Sequence, residues 1–411
     1  MTLREQKGRQ IADKAKITRK GNFWLVPSQS RRGAYKVDLE HERCTCPDYD
    51  FRGEKCKHVF AVEFTIEKTI YSRETVTARG KTTTKETVEV TRKTYRQEWP
   101  AYHKAQTMEK AQFRYLLHKL CQGVGSPAQH GRGQRILPLE DMIFAMAYKV
   151  YSTVSTRRFM TDLREAHAKG YLSQLPSYNS IINYFDSEMV TAYLQMLIEE
   201  SALPLAALEQ DFAIDSTGLS GCRFVQWVNA KYGESELIER KDWIKLHIVT
   251  GVRTNVIAAV QVSEKYKNDH AYFKPLVAST AKNFTMREVS ADRAYISSTN
   301  LQVAIDAKAI PYIPFKVTHG PNDKKQTSLW KQMYHYFSFN NERFMRSYHK
   351  RSNVETTFMM IKAKFGDSVR SKLARAQINE ALCKVLCHNI CCLIQSMYEL
   401  NLKPKFWAEV A

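Results

Sequence analysis

No run of 18 apolar residues occurs in the 411-residue chain, so no membrane-spanning helix is expected. The opening "MTLREQKGRQ" lacks the apolar core of a secretory leader. The chain is therefore expected in the cytoplasm, with no membrane partner. No internal repeat is found, which argues against a stacked-repeat architecture. Cysteine is sparse: nine residues in a chain expected to be reduced do not make a disulfide framework. Acid is scarce against base, 42 Asp and Glu to 62 Lys and Arg, giving a net charge of +20 and a pI near 9.4. That excess points to nucleic acid first and anionic membrane surfaces second, with a merely soluble basic protein as the plain alternative.

Hydrophobic residues make up 44% of the chain, ample for buried cores, and the length suits two or three domains. In residues 20–70, "GNFWLVPS" and "GAYKVDLE" read as short strands, followed by a cysteine loop and the helix "HVFAVEFTIEK". Residues 72–96 are rich in Thr, Lys and Arg and read as a solvated linker, with a weak hairpin as the alternative. A helix is expected over 102–121, where Phe113, Leu116, Leu117 and Leu120 share a face. "GVGSPAQHGRGQR" breaks the chain, and 138–205 reads as several helices, one opening at a Ser177 cap. This block suits either a DNA-binding helical domain or a packing module. From Asp211 the texture becomes mixed: a strand "DFAIDSTG", two strands in "DWIKLHIVTGVRTNVIAAVQVS", then alternating helix and strand to "IPYIPFK" and two basic helices. That order predicts an α/β domain with a mixed sheet. Cys383, Cys387 and Cys391 recur every four residues, which suits small buried positions of a helix.

Cys44-x-Cys46 and Cys56-x-His58 place four soft donors within 15 residues. A structural zinc takes four such donors in a tetrahedron. His41 reads as a solvent histidine rather than a competing ligand. The spacing, with Gly53 before the third cysteine and an apolar helix after it, resembles the SWIM-type zinc finger. The resemblance implies an accessory module that binds zinc and holds nucleic acid or protein.

The stretch "YHKRSNVETTFMMIK" carries a second constellation. On a continuous helix Tyr348, Arg351, Glu355 and Lys362 fall within a ~60° arc, forming one stripe. Residues 316–375 hold 13 Lys and Arg against 4 Asp and Glu. A lone glutamate there would ordinarily pair with Arg351 one turn back. Two further acids suggest another role. Asp215 ends "FAID" before Ser216, Thr217 and Gly218, and Asp292 ends "REVSAD". Acids at strand ends lie where clefts form, and three converging carboxylates need cations. Oxygen ligands select Mg²⁺ or Mn²⁺, and a pair of such ions can cleave a phosphodiester. Arg351 and Lys362 are then phosphate-binding candidates and Tyr348 a hydrogen-bond donor. Asp211 shares a strand face with Asp215. Asp242 and Asp269 are weaker candidates, and Asp269 with His270 is a possible supporting pair. Asp306 and Asp367 read as surface charges.

These residues resemble a DDE transposase of the insertion-sequence class with the Y-x2-R-x3-E-x6-K signature. Tyr348, Arg351, Glu355 and Lys362 match it, and the contexts of Asp215 and Asp292 match those of its two aspartates. The resemblance implies a ribonuclease-H-like fold, a triad of Asp215, Asp292 and Glu355, and two-metal nicking followed by joining of 3′-hydroxyls to target DNA. It implies double-stranded DNA as partner, a homodimer, and a nucleoid-associated location. The large β-rich insertion of some relatives is not matched, since only 62 residues lie between Asp292 and Glu355. The expected division is a zinc module over 1–71, a linker over 72–100, a helical DNA-binding region over 101–208 and the catalytic domain over 209–411. Two rivals are a catalytically silent DNA-binding descendant and a stand-alone ribonuclease-H-like nuclease.

Overall fold

The computed structural model describes residues 3–20, 23–29, 33–39, 41–67, 70–78, 81–89, 98–125, 137–221, 243–264, 266–316, 320 and 327–407. They fall into two units, Met1–Gln97 and Glu98–Ala411.

The first unit opens with α1 (Leu3–Lys14). Four strands follow, β1 (Thr18–Lys20), β2 (Phe23–Pro27), β3 (Ala34–Asp38) and β4 (Arg43–Cys44), paired antiparallel in that order. Two helices, α2 (Pro47–Arg52) and α3 (Lys57–Glu67), complete it. Ile11, Val26, Val37, Val59 and Val62 form its small core with the three cysteines. Helix α1 lies along α3 because Gly8 lets the backbones close. A Cβ at Gly8 would come within 2.5 Å of the Phe60 Cβ. The apolar pattern gives no sign of α1, since it packs through a glycine and Ile11 rather than an apolar stripe.

Within the expected linker over 72–100, the described residues show the hairpin weighed as its alternative. Strands β5 (Ile70–Ala78) and β6 (Lys81–Glu89) pair antiparallel along their whole length, from Ile70 with Glu89 to Ala78 with Lys81. Thr and Val favour extended backbone strongly enough to prevail over the high charge.

The second unit begins with α4 (Trp99–Cys121), α5 (Leu139–Ser152), α6 (Thr156–Ala168), α7 (Tyr178–Phe185) and α8 (Glu188–Ala202). Most of the Gly-rich break, 126–136, lies outside the described residues. The Ser177 cap is present, its hydroxyl accepting from Ser180 N at 3.1 Å. Three strands then run antiparallel: β7 (Asp211–Ser220), β8 (Trp243–Gly251) and β9 (Ile257–Glu264). After α9 (Phe273–Asn283) comes β10 (Glu288–Ala291), parallel to β7. After α10 (Ser298–Asp306) comes β11 (Ile310–Tyr312), parallel to β10. The sheet order is β11-β10-β7-β8-β9. Helices α11 (Ser328–Phe339), α12 (Asn341–Tyr348), α13 (Ser352–Phe365) and α14 (Ala374–Glu399) close the chain. Where two terminal basic helices are expected, four are found.

The helices of 101–208, expected as a region of their own, share one core with the sheet. The reason is α14, which packs on α4, α5 and α8 and also touches β8 and β9. It is long and apolar enough to cross a membrane, yet most of it is buried inside this unit. Cys383, Cys387 and Cys392 lie in its buried face and Cys391 is half-buried. Burial raises all four thiols well above their usual range.

Buried carboxylates hold the connecting turns. Asp141 accepts from the backbone of Ser173 and Gln174, Glu209 from Arg253 and Thr254, and Glu380 from Arg370 and Ser371. Each satisfies amides that would otherwise be orphaned. Replacing Glu380 by Ala strands both amides beside the buried Lys384. It is expected to cost about 3 kcal/mol, read as a lower urea midpoint.

His388 is fully enclosed, its Nε2 donating to the Asn255 carbonyl at 2.8 Å, with Cys392 beside it. Burial, opposed by the Asn255 bond and assisted by Lys364, lowers its pKa to about 4. Unfolding restores the ordinary value near 6.5, so the unfolded chain takes up the proton first. This contribution is complete above about pH 6.5 and is lost as the pH falls towards 4. His388→Gln is expected to flatten the fall in melting temperature over that window; an unchanged slope would contradict the assignment.

Candidate active site and zinc centre

In the first unit, short elements carry one donor or two each. Cys44 ends β4, Cys46 caps α2, Cys56 precedes α3 and His58 is its second residue. Gly53 closes α2 with φ of +66°, a left-handed conformation that suits glycine. The four ligand atoms lie within 4.8 Å of one another, and all four residues are buried. His58 Nδ1 is 3.9 Å from Cys44 Sγ and 3.8 Å from Cys56 Sγ. Such edges fit donors around one tetrahedral zinc. The Cys56 thiol is drawn down to about 3, first because Cys44 hydrogen-bonds to it, against burial and with help from His58. The same contact, then burial, pushes Cys44 up. Three buried sulfurs and one imidazole facing a common point are a donor set that a dication completes. His41 pairs with Asp38 at 3.0 Å on the surface, away from ligand duty.

In the second unit the sheet positions two acids. Strand β10 runs parallel to β7, with Ala291 beside Ile214, and the next residues along are Asp292 and Asp215. Asp215 Oδ1 accepts from Ser216 N at 2.9 Å, and Asp292 Oδ1 from Arg293 N at 2.7 Å. Glu355 comes from the first turn of α13, which packs on β7. Arg351 joins them: its guanidinium donates to Asp215 Oδ2 at 2.5 Å and to Glu355 Oε1 at 2.6 Å. Burial raises the Asp215 carboxyl above its usual range; Ser216 N–H and Arg351 oppose this, and Asp292 and Glu355 add to it. The acids are thus close enough to act on one another's charge. They are not drawn to the spacing of the zinc donors. Among the described residues only the Cys/His group meets that spacing. The donor set is all oxygen, and a cationic guanidinium already stands between two of its members. Both features fit a hard divalent cation.

The helix expected to be continuous is interrupted. Tyr348 ends α12, a 3-10 turn spans His349–Arg351, and α13 begins at Ser352. A 3-10 turn has three residues per turn, so Arg351 still comes round beneath Tyr348. Lys362, three turns past Arg351, donates to Thr217 Oγ1 at 2.7 Å. Arg351 and Lys362, expected on phosphates, are held in this structure by Asp215, Glu355 and Thr217. Tyr348 is half-buried against the core.

The competing acids separate cleanly. Asp211 is bound by Arg287 and Lys350, which pull its carboxyl down despite burial. It opens β7 beside Glu288, four residues before Asp215, which lies in the middle of the strand rather than at its end. Asp306 is exposed and bonded to Gln302, and Asp367 is exposed. Asp242 lies outside the described residues. Asp269 accepts from Ser216 Oγ at 3.0 Å and pairs with Lys245 at 2.5 Å, with His247 rather than His270 beside it. Sequence alone does not show Lys245, because only strand pairing brings it there. Tyr295 is also unannounced: its hydroxyl is buried without a hydrogen bond of ordinary geometry, near Ser216, Asp269 and Asp215.

Residues 207–390 match the family model of the transposase DDE domain, and residues 35–67 that of the SWIM zinc finger. Residues 207–390 are thus similar to the transposase DDE domain and residues 35–67 to the SWIM zinc finger. Both family resemblances read from the motifs are met. No curated protein and no solved structure matches the chain. The transposase match takes in Asp215, Asp292, Glu355 and the basic stripe; the zinc-finger match takes in all four Cys/His donors.

Purified protein is expected to hold zinc at about one ion per chain. Cys56→Ser should reduce this to near zero and unfold the first unit, seen as lost amide protection there, because such small cores depend on their metal. Full zinc content in that variant would refute the ligand set.

Proposed function

We propose that the chain is a DNA transposase that binds transposon ends, cleaves them by metal-assisted hydrolysis and joins the 3′-hydroxyls to target DNA. The observation that carries this reading is the placement of Asp215 beside Asp292, with Arg351 linking Asp215 to Glu355. An antiparallel β7–β9 half continued by parallel β10 and β11 supports a ribonuclease-H-like fold for the domain.

Asp215, Asp292 and Glu355 would hold Mg²⁺ or Mn²⁺. Bound there, such ions activate water and stabilise the leaving oxygen of a phosphodiester. The chain's own side chains do the rest. Asp215 and Asp292 are fixed by the N–H of the residue that follows each, so neither needs reorientation. Arg351 and Lys362 offer cations on the same helical run as Glu355, where a DNA phosphate replaces their internal partners. Tyr348 supplies a hydroxyl at the head of that stripe. A homodimer on double-stranded DNA in the nucleoid, with the zinc finger as accessory grip, completes the reading.

Asp215→Asn, Asp292→Asn and Glu355→Gln should each reduce Mg²⁺-dependent cleavage of the element's ends by a factor on the order of 10³ or more, with end binding retained. Cleavage by Asp292→Asn at the parent's rate would remove the triad. Arg351→Ala and Lys362→Ala should each lower the salt slope of DNA binding by ~0.9. Unchanged slopes would take both residues off the phosphates.

A further inference from the structure

The face of β7 turned away from α13 holds a second polar cluster. Asp215 and Thr217 point towards α13, where they meet Arg351 and Lys362. Ser216, between them, points the other way. It is bonded at two points: its N–H donates to Asp215 Oδ1 at 2.9 Å and its hydroxyl to Asp269 Oδ1 at 3.0 Å. Asp269 opens a 3-10 turn, Asp269–Tyr272, and is itself fixed from β8. His247 stands directly opposite Ser216 in the β7–β8 pairing, with Lys245 two residues before it, so both share the Ser216 face. Lys245 pairs with Asp269 at 2.5 Å, and His247 Nδ1 lies 3.4 Å from the same carboxylate oxygen. The His247 ring stacks on Tyr272 of that turn, centres 4.0 Å apart, and its Nε2 contacts Ser263 Oγ at 2.8 Å.

The turn after Asp292 reaches the same cluster. Asp292 caps the 3-10 turn Arg293–Tyr295, and the Tyr295 N–H donates to the Asp292 carbonyl at 3.0 Å. The Tyr295 side chain is wholly buried. Its hydroxyl has no hydrogen bond of ordinary geometry, yet it lies beside Ser216 and within reach of the charges of Asp269, Asp215 and Asp292. A buried hydroxyl is normally bonded, and the polar groups around this one belong to the acid site. Asn300 ties the two 3-10 turns together, its side-chain amide donating to the Tyr295 carbonyl at 2.8 Å and the His270 carbonyl at 3.4 Å. Asp215 and Asp292 are thus connected twice: within the sheet by the pairing of β10 with β7, and beneath it through Ser216, Asp269 and Tyr295.

We infer that Asp269 and Tyr295 are positioning residues for the two aspartates. Asp269 acts through Ser216, whose displacement would carry its N–H away from Asp215 Oδ1. Tyr295 sets the Asp292 turn against the same serine. This brace fixes the spacing of two carboxylates in advance, and ligands held in place bind a metal ion more tightly than ligands that must be gathered. The inference rests on the transposase reading in taking Asp215 and Asp292 as ligands of a divalent ion. Asp269 and Tyr295 themselves are assigned to neither metal nor DNA.

The test follows Mn²⁺ binding to the zinc-loaded full-length protein without DNA, by the paramagnetic resonance of the free ion. Ser216→Ala, Asp269→Ala and Tyr295→Phe should each raise the Kd by about 10- to 100-fold. The Ser216→Ala/Asp269→Ala pair should be no worse than the poorer single variant, because both substitutions break one link. Asp269→Asn keeps an oxygen for the Ser216 hydroxyl and should recover most of the affinity, which a general loosening of the sheet would not. A parental Kd in Asp269→Ala and Tyr295→Phe, or a double variant whose loss is the product of the single losses, overturns the inference. An Asp215→Asn protein that binds Mn²⁺ as the parent does defeats the metal reading of the acids instead. Hydrogen exchange over residues 212–219 of the protein without Mn²⁺ then decides the brace: Asp269→Ala must speed it and Asp269→Asn restore it, and an unchanged rate overturns the positioning role as well.

Discussion

The second unit depends on how the free edge of its sheet is covered. Strand β9 is an edge strand, with backbone groups that need partners. Asn389, wholly buried in α14, supplies them. Its side-chain oxygen accepts from Ile257 N at 2.8 Å and its amide donates to the Ile257 carbonyl at 2.8 Å, as a neighbouring strand would. The same amide reaches Ile198 and Ser201 on α8. One side chain therefore ties an edge strand to two helices. Asn379, three turns earlier, joins α14 to the carbonyls of Phe185 and Ser187 and to Thr191. Buried amides satisfied at every position add direction to a core whose apolar contacts have none.

That fixed sheet is what makes a site of two strands. Parallel pairing of β10 with β7 is the geometry that brings Asp292 alongside Asp215. The like charges are tolerable because Arg351 lies between the first acid and the third. The same guanidinium supplies the positive charge that balances two of the acids in this structure. At the start of β7, four residues before Asp215, Asp211 shares its face but is consumed by Arg287 and Lys350. Position along one strand thus separates an acid bound by two cations from one that neighbours Asp292.

Much of this was legible because it is local. Cys44-x-Cys46 and Cys56-x-His58 need only a turn and a helix start, so their spacing already implies convergence. Tyr348, Arg351, Glu355 and Lys362 align because helical geometry is regular, and the 3-10 turn escaped notice because it leaves the stripe nearly unchanged. What stayed hidden is set by long-range pairing or by atoms too small to leave a pattern. Helix α1 packs through Gly8. The helices of 101–208 join the sheet through a helix nearly 200 residues away, and nothing in their own residues announces it. Lys245 and Asp269 meet only after β8 has paired with β9.

Helix α13 is riveted at several places along its length. Asn353 donates to the Val252 carbonyl, Thr357 meets Thr250 at 3.1 Å, and Lys362 meets Thr217. Just beyond its end, Lys384 grips the carbonyls of Gly366 and Ser368 while Glu380 holds the amides after them. It behaves as a beam supported at both ends and in the middle, with little freedom to rock or slide. The Glu355 side chain, by contrast, is 58% exposed and, among the described residues, tethered to Arg351 alone. In the proposed triad, its approach to the two aspartates needs only rotation about its own bonds, because the backbone is held where the sheet has put it.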